Sequence, residues 1–246
     1  MRAKIGVQFA PHKIGAPIPP PVISSTPTPP EVMSDLGLAD ELFLAGHNEY
    51  TGKTVINQEM LDAGLAGAAL CELILQRRVT VMATKVAVDD PRPWGDPVTD
   101  VVLREIHSRG NEFVPRAWVE HLRGNVGEVV AQRAVAAGMV RRDEQRSGLS
   151  RKITVRYPAV NALTATRPLV RLSYYLQRPA QIDAQTATLA ALIKATGLEQ
   201  RIMLEWTRQE VTDSIGAIVA RLPAPLRDCI QGVEGAVAAM AVITRR

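Results

Sequence analysis

One stretch limits the choice of fold more than any other: Leu61 to Val81, LDAGLAGAALCELILQRRVTV. It reads as an apolar helix crowded with small residues, which stops at Arg77-Arg78 and runs directly into a β-branched strand. A helix of about 20 residues is about 30 Å long, close to the thickness of a bilayer core. Asp62 and Glu72 argue against that placement, because an acid near a bilayer centre costs roughly 2.5–3.5 kcal/mol. Gly64 and Gly67 each cost about 1 kcal/mol relative to Ala inside a helix, a cost that is offset where another element packs closely. The stretch is therefore expected to be the buried central helix of a folded core.

Composition agrees. Of 246 residues, 46% are hydrophobic and 22% charged, but only 4% are aromatic. The core must then be built from Leu, Val, Ile and Ala, which favours helices packed on helices. The formal net charge is +4, a mild basic bias that suits an anionic partner such as lipid headgroups or nucleic acid without requiring one. Most of the positive charge is Arg, the residue suited to bidentate phosphate recognition. Cys71 and Cys229 fall in apolar helical patterns and read as buried free thiols in a reducing, cytoplasmic compartment; their spacing suggests neither zinc nor a disulfide framework. The apolar run after Met1-Arg2-Ala3-Lys4 is cut by Pro11, His12 and Lys13, so no signal peptide is expected. No segment reads as a transmembrane helix, and any membrane contact is expected to be peripheral, at an inner membrane face.

Residues 1–34 hold eight of the 17 prolines and read as a disordered tail. Two readings stand: an extended arm that binds a protein partner, or a stretch upstream of a true start at Met33. The folded part, residues 35–246, is expected to be one helical domain. Leu38 to Leu44 predict a short helix closed by Gly46, and Asn57 is placed to cap the central helix. Val79–Val81 and Lys85–Val88 predict a hairpin. A second round follows: a helix from Asn125 to Ala137 with Gly138 after it, then a hairpin built from Met139-Val140 and Ile153–Val155 around the polar turn Arg141–Ser150. From Asn161 onward the pattern is helical, with helices expected over Thr186–Thr196, Glu205–Leu222 and Leu226–Ile243.

Catalytic patterns are scarce. His12, His47, His107 and His121 have no metal-ligand spacing, and nucleophile-elbow, Walker and dinucleotide-binding motifs are missing. Thr51-Gly52-Lys53-Thr54 resembles the end of a phosphate loop but lacks the upstream glycine and the preceding strand. Asp96 precedes a helix and reads as its cap. The basic residues are more informative. Arg77 and Arg78 end the central helix, Arg123 lies before an expected Gly124–Gly127 turn, and Arg141, Arg142, Arg146, Arg151, Lys152 and Arg156 decorate the second hairpin. They read either as a solvated face or as a phosphate- or anionic-surface patch. Leu149, at the tip of that hairpin, is placed to dip into a membrane interface.

Three sets of residues occur in a particular order: Leu38-Ala39-Asp40-Glu41-Leu42-Phe43-Leu44 with Thr51-Gly52-Lys53; Gly64-Leu65-Ala66-Gly67 leading through Glu72-Leu73 to a strand; and Pro93-Trp94-Gly95-Asp96-Pro97 with Asp100, then Trp118-Val119, Val135–Gly138 and Tyr157-Pro158. The set resembles the Golgi phosphoprotein 3 family, including its shorter bacterial members, from about Leu36 to the C-terminus. The resemblance implies a mainly α fold, a helical bundle core surrounded by amphipathic helices with β-hairpins at the edge. It implies a non-enzymatic peripheral membrane protein without a cofactor or metal, which binds phosphatidylinositol 4-phosphate and acts as an adaptor. The family's headgroup positions fall at Asn57 (a tryptophan in the family), Ala66 (an arginine), and about Gly124 and Gly127 (a basic pair). Asn57 keeps some hydrogen-bonding ability and the other three keep none. Each lost charge-assisted hydrogen bond costs about 1.5–3 kcal/mol, so Arg77, Arg123 or the hairpin basic residues Arg141, Arg142, Arg151 and Lys152 would have to compensate.

The leading expectation is thus an anionic lipid headgroup, a phosphoinositide included, as partner. The alternatives are a winged-helix-like nucleic-acid binder, disfavoured because the helices before both hairpins are apolar, and a protein-interaction adaptor without lipid binding. A homo-oligomer is compatible with all three.

Overall fold

A computed structural model of the chain describes residues 36–110, 112–146, 153–202 and 207–243. The proline-rich tail and the hairpin residues Leu149, Arg151 and Lys152 lie outside the described residues. Among the described residues there are eight α-helices and two separate two-stranded antiparallel sheets. The fold is mainly α with hairpins at its edge.

Helix α2, Gln58–Leu75, is the central one. Asn57 caps it, its Oδ1 accepting from Glu59 N at 2.8 Å, and satisfies one of the orphan amides of the first turn. Packed against α2 are α1 (Leu38–Gly46), α3 (Pro97–Arg109), α4 (Pro115–Ala136), α6 (Ala184–Thr196) and α8 (Ala224–Ile243). The small residues make that crowding feasible. A Cβ on Gly64 would collide with Thr196 of α6, and one on Gly67 with Val233 of α8. The helical cost of these glycines is offset by close approach on both sides. α5 (Ala162–Leu176) and α7 (Arg208–Val219) complete the fold outside this layer, with α7 entered through a Thr207–Glu210 capping box. Cys71 and Cys229 are buried free thiols, and among the described residues no helix is long and apolar enough to cross a membrane.

α2 and α4 end alike. After α2, Arg77 N donates to Ile74 O and Arg78 N to Leu73 O; after α4, Gly138 N donates to Val135 O and Met139 N to Ala134 O. Both are Schellman closures, whose C′ residue must be left-handed. Gly138 meets this freely at φ 67°, whereas Arg77 does so at φ 55° with a side chain. Each closure feeds a hairpin. β1 (Val79–Met82) pairs with β2 (Lys85–Val88) through a two-residue turn, Ala83 at φ 48° and Thr84 at φ 70°. β3 (Asp143–Arg146) pairs with β4 (Ile153–Arg156).

Two expectations are corrected. Gly124–Gly127 is not a turn: both glycines lie inside α4, which starts ten residues earlier than expected, at Pro115. Gly127 is there for packing, since a Cβ on it would stand 2.5 Å from Asp62 Oδ1 of α2. The first strand of the second hairpin is Asp143–Arg146 rather than Met139-Val140. Val140 makes only an isolated bridge to Ala159, because the register set by Ile153–Arg156 extends the ladder toward the hairpin tip.

Candidate functional site

The residues that carry the ordered pattern are mostly held in pairs. Gly52, at φ 65°, lies against Pro158 so closely that a Cβ would collide with the backbone there. Tyr157 N donates to Gly52 O at 2.9 Å, and Ala159 N to Glu49 O at 2.9 Å. The Thr51-Gly52-Lys53 turn is thereby a clamp on the exit of the second hairpin, not a phosphate loop. Trp94 N and Gly95 N donate to the Asp100 carboxylate, while Asp96 Oδ1 accepts from Val98 N and Thr99 N and caps α3. The guanidinium of Arg78 stacks over Trp94 at 4.9 Å and pairs with Asp90.

Beneath these turns lies a charged cluster that local sequence inspection missed. Arg133 of α4 bridges Asp40 of α1, at 3.0 Å, and Asp96 at the start of α3. Glu72 of α2 lies nearby, against Gly37, where a Cβ would stand 2.7 Å from its Oε1. Two carboxylates thus share one guanidinium, and a third, Glu72, lies within reach of its charge. Burial, opposed by the charge of Arg133, pushes Glu72 up to about 7 and Asp40 up to about 6. A second buried pair, Glu41–Arg171 at 2.6 Å, ties α1 to α5. None of these groups lines the described cavities of about 290, 200 and 170 Å³, so the cluster reads as a structural joint. The largest of the described cavities lies between Thr84, Val114–Arg116 and Asp228–Gly232, and it is below the usual ~300–1,000 Å³ of small-molecule sites.

A comparison with known families decides the relationship. The model for Golgi phosphoprotein 3 (GPP34) matches residues 38–233. The chain belongs to the Golgi phosphoprotein 3 family. No curated protein matches it significantly. The matched span runs from the start of α1 into α8, so every clamp described above lies inside it.

Within this Golgi phosphoprotein 3 fold, the four headgroup-equivalent positions land as follows. Asn57 uses its side-chain oxygen as the α2 cap. Ala66 is fully buried and offers no atom to a surface. Gly124 lies on an open face of α4, and Gly127 against Asp62. Near them are two acids, Glu59 and Asp62. Burial raises the pKa of Asp62, with hydrogen bonding from Gln58 and the charge of Arg123 acting the other way. Arg123 is 3.5 Å from Glu59 and is committed to this acidic surrounding. Arg77 is exposed at the far end of α2 and does not join the group.

The basic residues of the second hairpin divide. Arg142 pairs with Glu128 and Glu144 at 3.2 and 3.1 Å. Arg141 is exposed and has no ion-pair partner among the described residues; its backbone N–H donates to Pro158 O. A wider signal was legible and missed because it is an absence. Between Glu144 and Asp183 the chain has no acidic residue and seven basic ones: Arg146, Arg151, Lys152, Arg156, Arg167, Arg171 and Arg178. That run exceeds the +4 of the whole chain, so the remainder is net negative. It covers β4 and all of α5.

Proposed function

We propose that this protein is a non-catalytic peripheral membrane protein that binds anionic lipid surfaces through the acid-free basic run of its second hairpin and α5. One observation carries the reading: no acid and seven basic residues lie between Glu144 and Asp183, six of them left after Arg171 is neutralised by Glu41 in the core, in a chain whose other residues are net negative. A surface of one sign beside one of the opposite sign both attracts and orients the protein at a charged plane. Family membership supports the class. The inner face of a membrane, where anionic lipids are concentrated, fits as the target.

Headgroup recognition by a phosphatidylinositol 4-phosphate pocket at Asn57, Ala66, Gly124 and Gly127 is not favoured. A phosphate placed there would face Glu59 and Asp62, with Arg123 already beside Glu59. We therefore expect attraction that follows surface charge and falls with salt, rather than selectivity for one headgroup. A nucleic-acid reading draws less support: α2 is buried along most of its length, and α4, contrary to the apolar pattern expected of it, exposes the acids Glu120 and Glu128 among Arg116, Asn125 and Gln132, a face of mixed sign rather than a basic one. Vesicle flotation tests the proposal. Recovery with phosphatidylserine vesicles, lost at high salt and absent with phosphatidylcholine alone, is expected. Equal recovery on both vesicles, or none on either, refutes it; a strong preference for phosphatidylinositol 4-phosphate at equal charge restores the pocket reading.

A further inference from the structure

Helix α5 has two apolar faces, and only one of them is used. Ala165, Leu169, Leu172 and Leu176 are buried in the core, and Arg171 is locked to Glu41. On the other side Leu163 is 81% exposed and Val170 62%. Leu163, Arg167, Val170 and Tyr174 are spaced by four, three and four residues, which places them in one stripe along the helix. Arg178 continues the stripe and lies over the Tyr174 ring at 4.2 Å. Val160, 57% exposed, stands just before the Asn161 cap. The Ala159 N to Glu49 O hydrogen bond brings the turn carrying Tyr50, 75% exposed, alongside it. Single exposed apolar side chains need no explanation, but a contiguous set marks a contact surface.

We infer that this outer face of α5, with Val160 and Tyr50 at its end, is the apolar contact by which the protein enters an anionic bilayer interface, an inference that rests on the membrane-binding reading above. Charge chooses the occupant. Val160 and the α5 side chains of the face lie inside the acid-free run, and the acid beside Tyr50, Glu49, is paired with Arg201, so the partner is both apolar and negative, as an anionic lipid interface is. A second copy packed on the same face would bring the two basic runs together, and an isologous contact of that kind repels itself. In the bilayer the apolar side chains of the stripe enter the acyl boundary while Arg167 and Arg178 reach the phosphate level along their apolar stems. The hairpin then supplies attraction, and α5 supplies depth and orientation.

The test uses the full chain and phosphatidylcholine vesicles with and without phosphatidylserine. The double variant Leu163→Ser/Val170→Ser removes apolar area without changing charge, at positions already in water, and its thermal melt is expected to match the parent. Met82→Ser, an exposed apolar residue of the first hairpin, is the matched control. Flotation on anionic vesicles should fall roughly tenfold or more for the double variant and stay unchanged for Met82→Ser. A polarity-sensitive dye on Leu163→Cys should shift to the blue on adding anionic vesicles; the two native cysteines are buried and escape labelling. Undiminished flotation of the double variant with an unshifted dye overturns the inference while leaving charge-driven membrane binding standing. Failure of the parent itself to float overturns both. A concentration-dependent dimer, lost in the double variant, overturns the inference in favour of a second copy.

Discussion

The two helix–hairpin units share a plan and differ in what their hairpins touch. Each has a helix closed by a Schellman turn followed by a two-stranded ladder. In the first, Val79 and Val86 are buried, Val86 N donates to Phe113 O, and Arg78 is tied to Asp90 and Trp94. In the second, Ile153 is half exposed and the clamp acts only at the base, through Tyr157 and Gly52. The first hairpin is scaffold, and the second is presented. The difference comes from side-chain chemistry rather than backbone plan: VTVM and KVAV supply apolar residues for a core, whereas DEQR is polar throughout and ITVR lies in the acid-free basic run that begins after Glu144.

The largest expected contrast lies between the helices. Gly67→Leu should destabilise the protein by about 3 kcal/mol or more, because even its Cβ collides with Val233 and overpacking is not relieved in a sealed helix. Gly124→Ala in α4, where a Cβ meets nothing within 4 Å, should stabilise by up to about 1 kcal/mol. Urea denaturation measures both; similar costs at the two sites would mean that α2 is no more enclosed than α4.

A second contrast is pH dependence. Glu72 holds its proton to about 7 in the fold, while an exposed glutamate releases it near ~4.3. Between these values the folded state binds the extra proton, so this group's contribution is present at low pH and is lost as pH rises through about 7. Glu72→Gln should remove that loss, narrowing the stability difference between acid and alkaline buffer by on the order of 2 kcal/mol. Thermal melts across this range give the answer, and an unchanged pH profile in the variant would show that burial does not hold the Glu72 proton.

The smallest effects concern the closures. Gly138→Ala should cost about 1 kcal/mol, and Arg77→Gly should gain about 0.5–1 kcal/mol, because only the second replaces a strained left-handed side chain. Equal signs in denaturation would show that the two turns are not equivalent.

How far the sequence could be read follows from the same contrast. α2 was legible because small residues, a cap at Asn57 and two breaking acids all point to one burial. The start of α4 was not, because Gly124 and Gly127 look like punctuation. Only the Asp62 contact shows that Gly127 is a packing residue. β3 was misplaced because DEQR has no strand signature of its own and is paired by its partner. The Asp40–Glu72–Asp96–Arg133 cluster joins residues far apart in the chain, which no local pattern reveals. Of the compensating basic residues, Arg123 and Arg142 are engaged by acids that only the fold brings near.

The central claim, that charge in the second unit and not the first holds the protein to an anionic membrane, is tested by exchanging charge in each. Arg151→Glu/Arg167→Glu alters the acid-free run before β4 and in α5, and Lys85→Glu/Arg104→Glu alters exposed positions of the first hairpin and α3. Flotation on phosphatidylserine-containing vesicles at low salt should be abolished by the first pair and retained by the second, although both change the net charge equally. Equal loss in the two variants would show that only net charge matters, and equal retention would contradict the account.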